Sequence, residues 1–141
     1  MDAEISIILP TKNEEGHIEA FCTEILQAFS PHCSIEIIIV DASDDDTWNR
    51  LLSLSEQHTE VKILKQKSKG FSPAVGEGLV VATGRWILSM NSDGNHRIED
   101  AVSLYQQRQK DTVLVGSRFV NGGMTTESHI RYLISFVAST T

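Results

Sequence analysis

The sequence predicts an α/β protein: a three-layer sandwich with a mostly parallel central sheet and helices on both faces. Three observations predict it. The β-branched run Ile37-Ile38-Ile39-Val40 reads as a strand buried on both faces, and it stops in the acidic burst Asp41-Ala42-Ser43-Asp44-Asp45-Asp46. The same event recurs where Trp86-Ile87-Leu88-Ser89-Met90 gives way to Asn91-Ser92-Asp93. Between such runs lie stretches whose apolar residues fall at helical spacing, and this alternation builds βαβ units with right-handed crossovers. In an open parallel sheet, ligands bind beyond the carboxyl ends of the strands, which is where both acidic bursts fall.

The elements follow in order. Ile5–Leu9 is a first strand, closed by Pro10. Ile18, Phe21, Cys22, Ile25, Leu26 and Phe29 make one apolar helical stripe. The strand Ile35–Val40 comes next, and Asp44 to Thr47 supply caps for a helix carrying Trp48, Leu51, Leu52 and Leu54. Val61–Leu64 is a third strand, followed by a basic turn from Lys65 to Lys69 and then Gly70. Pro73 suits the first turn of a helix with Val75, Leu79, Val80 and Ala82, and Gly84 is its expected stop. Trp86–Met90 is the fourth strand, and Ile98, Ala101, Val102, Leu104 and Tyr105 mark another helix. Val113-Leu114-Val115 is expected to be a fifth strand, and His129 to Ala138 a final helix.

With 141 residues, 40% hydrophobic and 22% charged, the chain is expected to be one globular domain over residues 1–141. A net charge of -7 argues against a nucleic-acid partner bound by phosphate neutralisation. Its apolar runs are far shorter than the roughly 20 residues of a spanning helix. The acidic start Met1-Asp2-Ala3-Glu4 does not resemble a secretory signal, so a cytoplasmic location is expected. Cys22 and Cys33 have no metal-binding spacing and are expected to be reduced thiols.

A dinucleotide fingerprint needs G-x-G-x-x-G after the first strand, but that place holds Pro10-Thr11-Lys12-Asn13-Glu14-Glu15. A P-loop fails for the same reason. Instead, Pro10–Glu14, Val40–Thr47, Gly70-Phe71-Ser72-Pro73-Ala74 with Gly78, Ala82-Thr83-Gly84 and Met90–His96 resemble, in order, the motifs of GT-A glycosyltransferases of family 2. Within that family the similarity is greatest to dolichol-phosphate mannose synthases and bacterial polyprenyl-phosphate hexosyltransferases. Gly116-Ser117-Arg118-Phe119, Arg131 and Ser135 also find counterparts there. The resemblance runs over nearly the whole chain and implies a GT-A fold shortened at its C-terminus.

What the resemblance implies is specific. The reaction would transfer a hexose from GDP-mannose or a UDP-hexose to a polyprenyl phosphate, dolichyl or undecaprenyl, with Mg²⁺ or Mn²⁺ as cofactor. Pro10, Thr11, Asn13, Glu14, Asp41 and Ser92 would line the nucleotide pocket, with Asp41 receiving hydrogen bonds from the base. Asp93 would be the main metal ligand and the catalytic residue, assisted by the amides of Asn91 and Asn95. Hard oxygen donors of this kind suit a divalent cation that offsets charge on a departing diphosphate. Arg118, Arg131 and Ser135 would bind the acceptor phosphate, where planar guanidinium donors grip phosphate oxygens in pairs. A phosphomonoester is already anionic near neutral pH, so such an enzyme needs no dedicated base.

Plainer readings compete at several positions. For Asp44, Asp45 and Asp46, helix capping outweighs metal binding. Asp93 has the alternative of an N-cap, Arg118 that of a surface ion pair, and His96 is read as a hydrogen-bonded loop residue. His17, His32, His58 and His129 form no cluster along the chain. Asn91 stands where the family has the first Asp of Asp-x-Asp, and Ala42 where many members have a second Asp. Those departures support an alternative function, a nucleotide-sugar-binding or regulatory module with impaired catalysis. A weaker third reading is a nucleotidyltransferase, although its glycine-rich loop is missing. The apolar residues of 129–138 are expected to meet a membrane surface or a second copy of the chain.

Overall fold

A computed structural model describes residues 2–114 and Gly116. The elements alternate as predicted: β1 (Ile5–Thr11), α1 (Ile18–Phe29), β2 (Ile35–Asp41), α2 (Thr47–Gln57), β3 (Val61–Lys65), α3 (Phe71–Val81), β4 (Trp86–Ser89) and α4 (Ile98–Gln106). The strands form one sheet in the order β3-β2-β1-β4, and every pairing is parallel. Register sets Thr11 beside Asp41 and Asp41 beside Lys65, so the ends of β1, β2 and β3 finish level.

The pleat divides the core into two layers. Ile7, Leu9, Ile37 and Ile39 face α1, α2 and α4, meeting Ile18, Ile25, Phe29, Leu51, Ala101 and Tyr105. Ile8, Ile38 and Val40 face the other way and meet Ala74 of α3, with Val81 and Ala82 packed alongside. Every residue of β2 is buried, as a strand sandwiched between helical layers requires. Leu52 breaks the expected stripe of α2: it is exposed, while Leu51 and Leu54 carry the packing.

Some expectations change in detail. The helix α3 ends at Val81, before Gly84. Gly84 is needed for another reason: a Cβ there would lie 2.4 Å from the Ser6 backbone nitrogen. Gly78 likewise lets α3 approach the sheet, since its Cβ would meet Ile8 Cγ2 at 2.6 Å. Val113 and Leu114 are exposed and belong to no strand, so the predicted fifth strand is not formed among the described residues; Val115 lies outside them. The expected helix over 129–138 also lies outside the described residues. Among the described residues, no helix is long and apolar enough to cross a membrane. Cys22 and Cys33 are free, and burial pushes the Cys22 thiol up to about 12.

Glu36 sits inside the β-branched strand, 4% exposed, on the α3 face. Its carboxylate accepts from the Ser6 hydroxyl at 2.5 Å, from the Thr83 backbone N–H at 2.6 Å and from the Thr83 hydroxyl at 3.0 Å. Lys62 Nζ completes the set at 2.5 Å. Burial alone would raise its pKa; these bonds outweigh burial and hold it at about 2. One side chain therefore staples β1, β2, β3 and the α3–β4 connection at the amino end of the sheet.

Candidate functional site

At the opposite end, the loops after β1, β2 and β4 converge. The β1 loop makes its turn at Asn13, whose φ of 55° lies in the left-handed region that asparagine tolerates better than most side chains. That conformation aims Asn13 at the β2 loop: its N–H donates to Ser43 Oγ at 2.8 Å and its Oδ1 accepts from the Asp44 N–H at 2.9 Å. The Glu14 N–H donates to Thr47 Oγ1 at 2.9 Å, and the Asp46 N–H to Glu15 Oε2 at 2.9 Å. Asp45 accepts from the Thr47 hydroxyl and backbone, which depresses its pKa, whereas Asp46, at the N-cap position of α2, makes no side-chain capping bond.

Asp41 lies where these loops meet. Its side chain is 0% exposed, and Oδ1 accepts from Ser43 Oγ at 2.5 Å. Its other oxygen, Oδ2, is buried with no hydrogen-bond partner among the described residues. Lys65 Nζ is beside it at 3.6 Å, an ion-pair distance beyond normal hydrogen-bond length, and rests 4.2 Å from the Trp48 ring centre. A buried oxygen that receives no hydrogen bond is uncommon and costly, which marks it as a candidate ligand contact.

The β4 side closes the notch. Ser92 is 3% exposed; its hydroxyl donates to Pro10 O at 3.2 Å. Because β4 pairs with β1 on the flank opposite β2, Asp41 and Asp93 lie at the same end of the sheet, on either side of the β1 tip. Asp93 Oδ1 accepts from the Asn95 N–H at 3.0 Å and Oδ2 from Asn95 Nδ2 at 2.9 Å. The Asn91 N–H donates to His96 Nδ1 at 2.9 Å, which gives that histidine the structural role expected of it. Glu14 also belongs to this notch. Burial raises its pKa; nearby His17 lowers it, while the charges of Asp93 and Asp45 raise it further.

Pro10, Thr11, Asn13, Glu14, Asp41 and Ser92, the residues expected to line a nucleotide pocket, are thus brought to one end of the sheet. Thr11 is turned inward, its hydroxyl donating to Leu9 O at 3.2 Å, and it contributes wall rather than a free group. Arg118, Arg131 and Ser135 lie outside the described residues. His17, read along the sequence as an isolated histidine, is part of the site: its Nε2 lies 2.7 Å from Ser92 O and 3.1 Å from Glu14 Oε2. Only its spacing of three residues from Glu14 could have hinted at this. A groove of about 480 Å³ lies elsewhere, between α1 and α4, lined by Glu24, Gln27, Ile98, Val102 and Gln106 among others.

Among the described residues, no group of three or more His, Cys, Asp or Glu side chains is arranged to cage a metal. The donor set still fits Mg²⁺ or Mn²⁺, because Mg²⁺-type sites use one or two carboxylates plus substrate phosphates rather than an all-protein cage. Asp93 supplies a carboxylate on an exposed loop, the Asn95 amide lies against it with Nδ2 donating to Asp93 Oδ2, and Asn91 is two residues before it in the same loop.

Comparison with known proteins shows the family and the fold. The family model described as "Glycosyl transferase family 2" matches residues 6–140. The dolichol-phosphate mannosyltransferase of Pyrococcus furiosus is 33% identical over 122 residues, 85% of this chain and 34% of that protein. The dolichyl-phosphate beta-glucosyltransferase of Drosophila melanogaster is 30% identical over 150 residues, 93% of this chain and 46% of that protein. The chain therefore spans less than half the length of these relatives. Among solved structures, a mannosyltransferase of Pyrobaculum calidifontis in complex with GDP-Man and Mn²⁺ superposes with a TM-score of 0.50 at 23% identity. That match covers 66% of this chain and 28% of the other and concerns the fold alone.

Proposed function

This chain belongs to glycosyl transferase family 2 and has the GT-A fold, and from that premise we propose that its notch binds a nucleotide-activated hexose for transfer to a polyprenyl phosphate. The observation that carries the reading is Asp41 Oδ2 at the tip of β2, a buried acceptor that receives no hydrogen bond among the described residues and has only the Lys65 ammonium 3.6 Å away. A ring N–H beside a carbonyl, such as uracil N3–H or guanine N1–H, would supply the hydrogen bond. Oδ1 is already committed to Ser43, so Asp41 offers one oxygen to the base.

Asp93, across the β1 tip, would hold a Mg²⁺ or Mn²⁺ ion with help from Asn91 or Asn95. Such an ion supplies charge compensation for the departing nucleoside diphosphate. Support for it comes from the oxygen donors here and from the Mn²⁺ and GDP-Man held by the Pyrobaculum protein. Pro10 and Ser92 set the width of the notch through their shared hydrogen bond, and Asn13 and Ser43 hold its other wall. Arg118, Arg131 and Ser135 are proposed as contacts for the acceptor phosphate, a role that the dolichol-phosphate relatives suggest. We propose a cytoplasmic location, at a membrane face where a lipid acceptor would be met.

Titration calorimetry with GDP-mannose, UDP-glucose and UDP-GlcNAc in the presence of Mn²⁺ tests the donor. Binding of one donor that weakens in EDTA is expected; no heat with any of them overturns the reading. Donor binding without transfer to dolichyl or undecaprenyl phosphate, even in Asn91→Asp, favours the impaired binding module instead.

A further inference from the structure

We infer that His17 is a positioning residue that fixes the acidic loop after β4 against the loop after β1, an inference resting on the nucleotide-sugar reading of the notch. Ser92 is tied to the β1 side at both of its polar ends. Its hydroxyl donates to Pro10 O, and its carbonyl receives His17 Nε2 at 2.7 Å. A carbonyl oxygen can only accept, so His17 must carry a proton on Nε2. The same nitrogen lies 3.1 Å from Glu14 Oε2, and that single N–H is shared between the two acceptors.

His17 reaches this position because its backbone is fixed one turn beyond Glu14. The Glu14 carbonyl accepts from the N–H groups of His17 at 3.1 Å and Ile18 at 3.0 Å, which starts α1. The imidazole thus stands on a rigid helix start and reaches across to the residue preceding Asp93. Glu14 on one side, itself joined to Thr47 of α2, and Ser92 on the other are held by one ring. Asp93 and its Asn95 partner then project from a loop whose root cannot slide along β1. Without His17 the loop keeps its internal bonds between Asp93 and Asn95 and between Asn91 and His96 but loses half of the Ser92 anchorage. Holding a ligand within a fraction of an ångström is what such supporting contacts do for a site.

The test uses the chain with His17→Ala and His17→Gln, the latter retaining an N–H donor. Calorimetry with UDP and GDP is run in Mn²⁺ and in EDTA, with thermal unfolding recorded for each protein. For His17→Ala we expect the Mn²⁺-dependent gain in nucleotide affinity to fall about tenfold. Metal-free affinity should change less than about twofold, because Asp41 is untouched. His17→Gln should recover most of the gain. A His17→Ala protein that keeps the full Mn²⁺-dependent gain overturns the inference, as does an equal loss with and without metal. Amide hydrogen exchange of the unliganded protein separates this inference from the functional reading. His17→Ala should accelerate exchange over residues 90–97 about tenfold while β2 stays protected. Unchanged exchange there sinks the positioning role even if nucleotide binds. Accelerated exchange in a protein that binds no nucleotide keeps the positioning role and removes the proposed donor.

Discussion

Glu36 and Asp41 stand on the same strand, both buried, at opposite ends of the sheet. Glu36 is surrounded by hydroxyl, backbone and ammonium donors, and none of its charge is left for anything else. Asp41 has one oxygen satisfied by Ser43 and the other without a hydrogen bond among the described residues. A carboxylate at the amino end of the sheet closes a structural knot, and one at the carboxyl end keeps an acceptor in reserve. Burial alone does not distinguish them; satisfaction does.

The comparison can be broken most forcefully at Glu36. Replacing it by Ala leaves Ser6, Thr83 and Lys62 facing a void. The expected loss is about 3 kcal/mol of unfolding free energy in urea, the range for breaking a buried charge network. A loss below 1 kcal/mol would mean the network is dispensable. Gly84→Ala attacks the same knot through the backbone, because its Cβ falls 2.4 Å from the Ser6 nitrogen. About 2 kcal/mol is expected to be lost, the usual scale for overpacking.

At the other end, Asp41→Asn should cost less than about 1 kcal/mol, because the Ser43 hydroxyl can donate to an amide oxygen as well and the Lys65 ion pair it removes is largely exposed on the lysine side. Nucleotide affinity, read by calorimetry, should fall about tenfold, the equivalent of one charged hydrogen bond. Stability lost instead of affinity would reverse the roles assigned to the two carboxylates.

The two ends also differ in the sign of their pH dependence. Glu36 is held at about 2, below its ordinary 4.5. Its contribution is present above 4.5 and is lost as the pH falls toward 2. Glu14 is raised above 4.5 by burial, with Asp93 and Asp45 adding to the effect. Its contribution is complete below 4.5 and is lost as the pH rises through its folded value. Glu14→Gln should therefore stabilise the protein slightly at pH 7 in urea unfolding, with the difference vanishing below pH 4.5. This is the smallest of the expected effects, and an opposite sign would mean that the His17 contact outweighs burial and the crowding by Asp93 and Asp45.

The sheet was legible because β-branched runs ending in acid mark buried parallel strands, and the stripe from Ile18 to Phe29 marks α1 without help from neighbours. The convergence of Pro10, Asp41 and Ser92 was also legible, since parallel strands place their loops at one end. His17 was not: its bond to Ser92 joins residues 75 positions apart, and no local pattern carries it. Glu36 hid within an apolar strand because its partners come from β1, β3 and the α3–β4 connection. Gly84 was read as a helix stop, whereas its need comes from the backbone of Ser6, far away in sequence.

A crystal soaked with Mn²⁺ and either UDP or GDP bears most directly on the claim that the loops after β1, β2 and β4 form one donor site. The base edge is expected on Asp41 Oδ2, with an anomalous Mn²⁺ signal on an Asp93 oxygen at about 2.2 Å. Nucleotide density in the groove between α1 and α4, with Asp41 and Asp93 untouched, would contradict it.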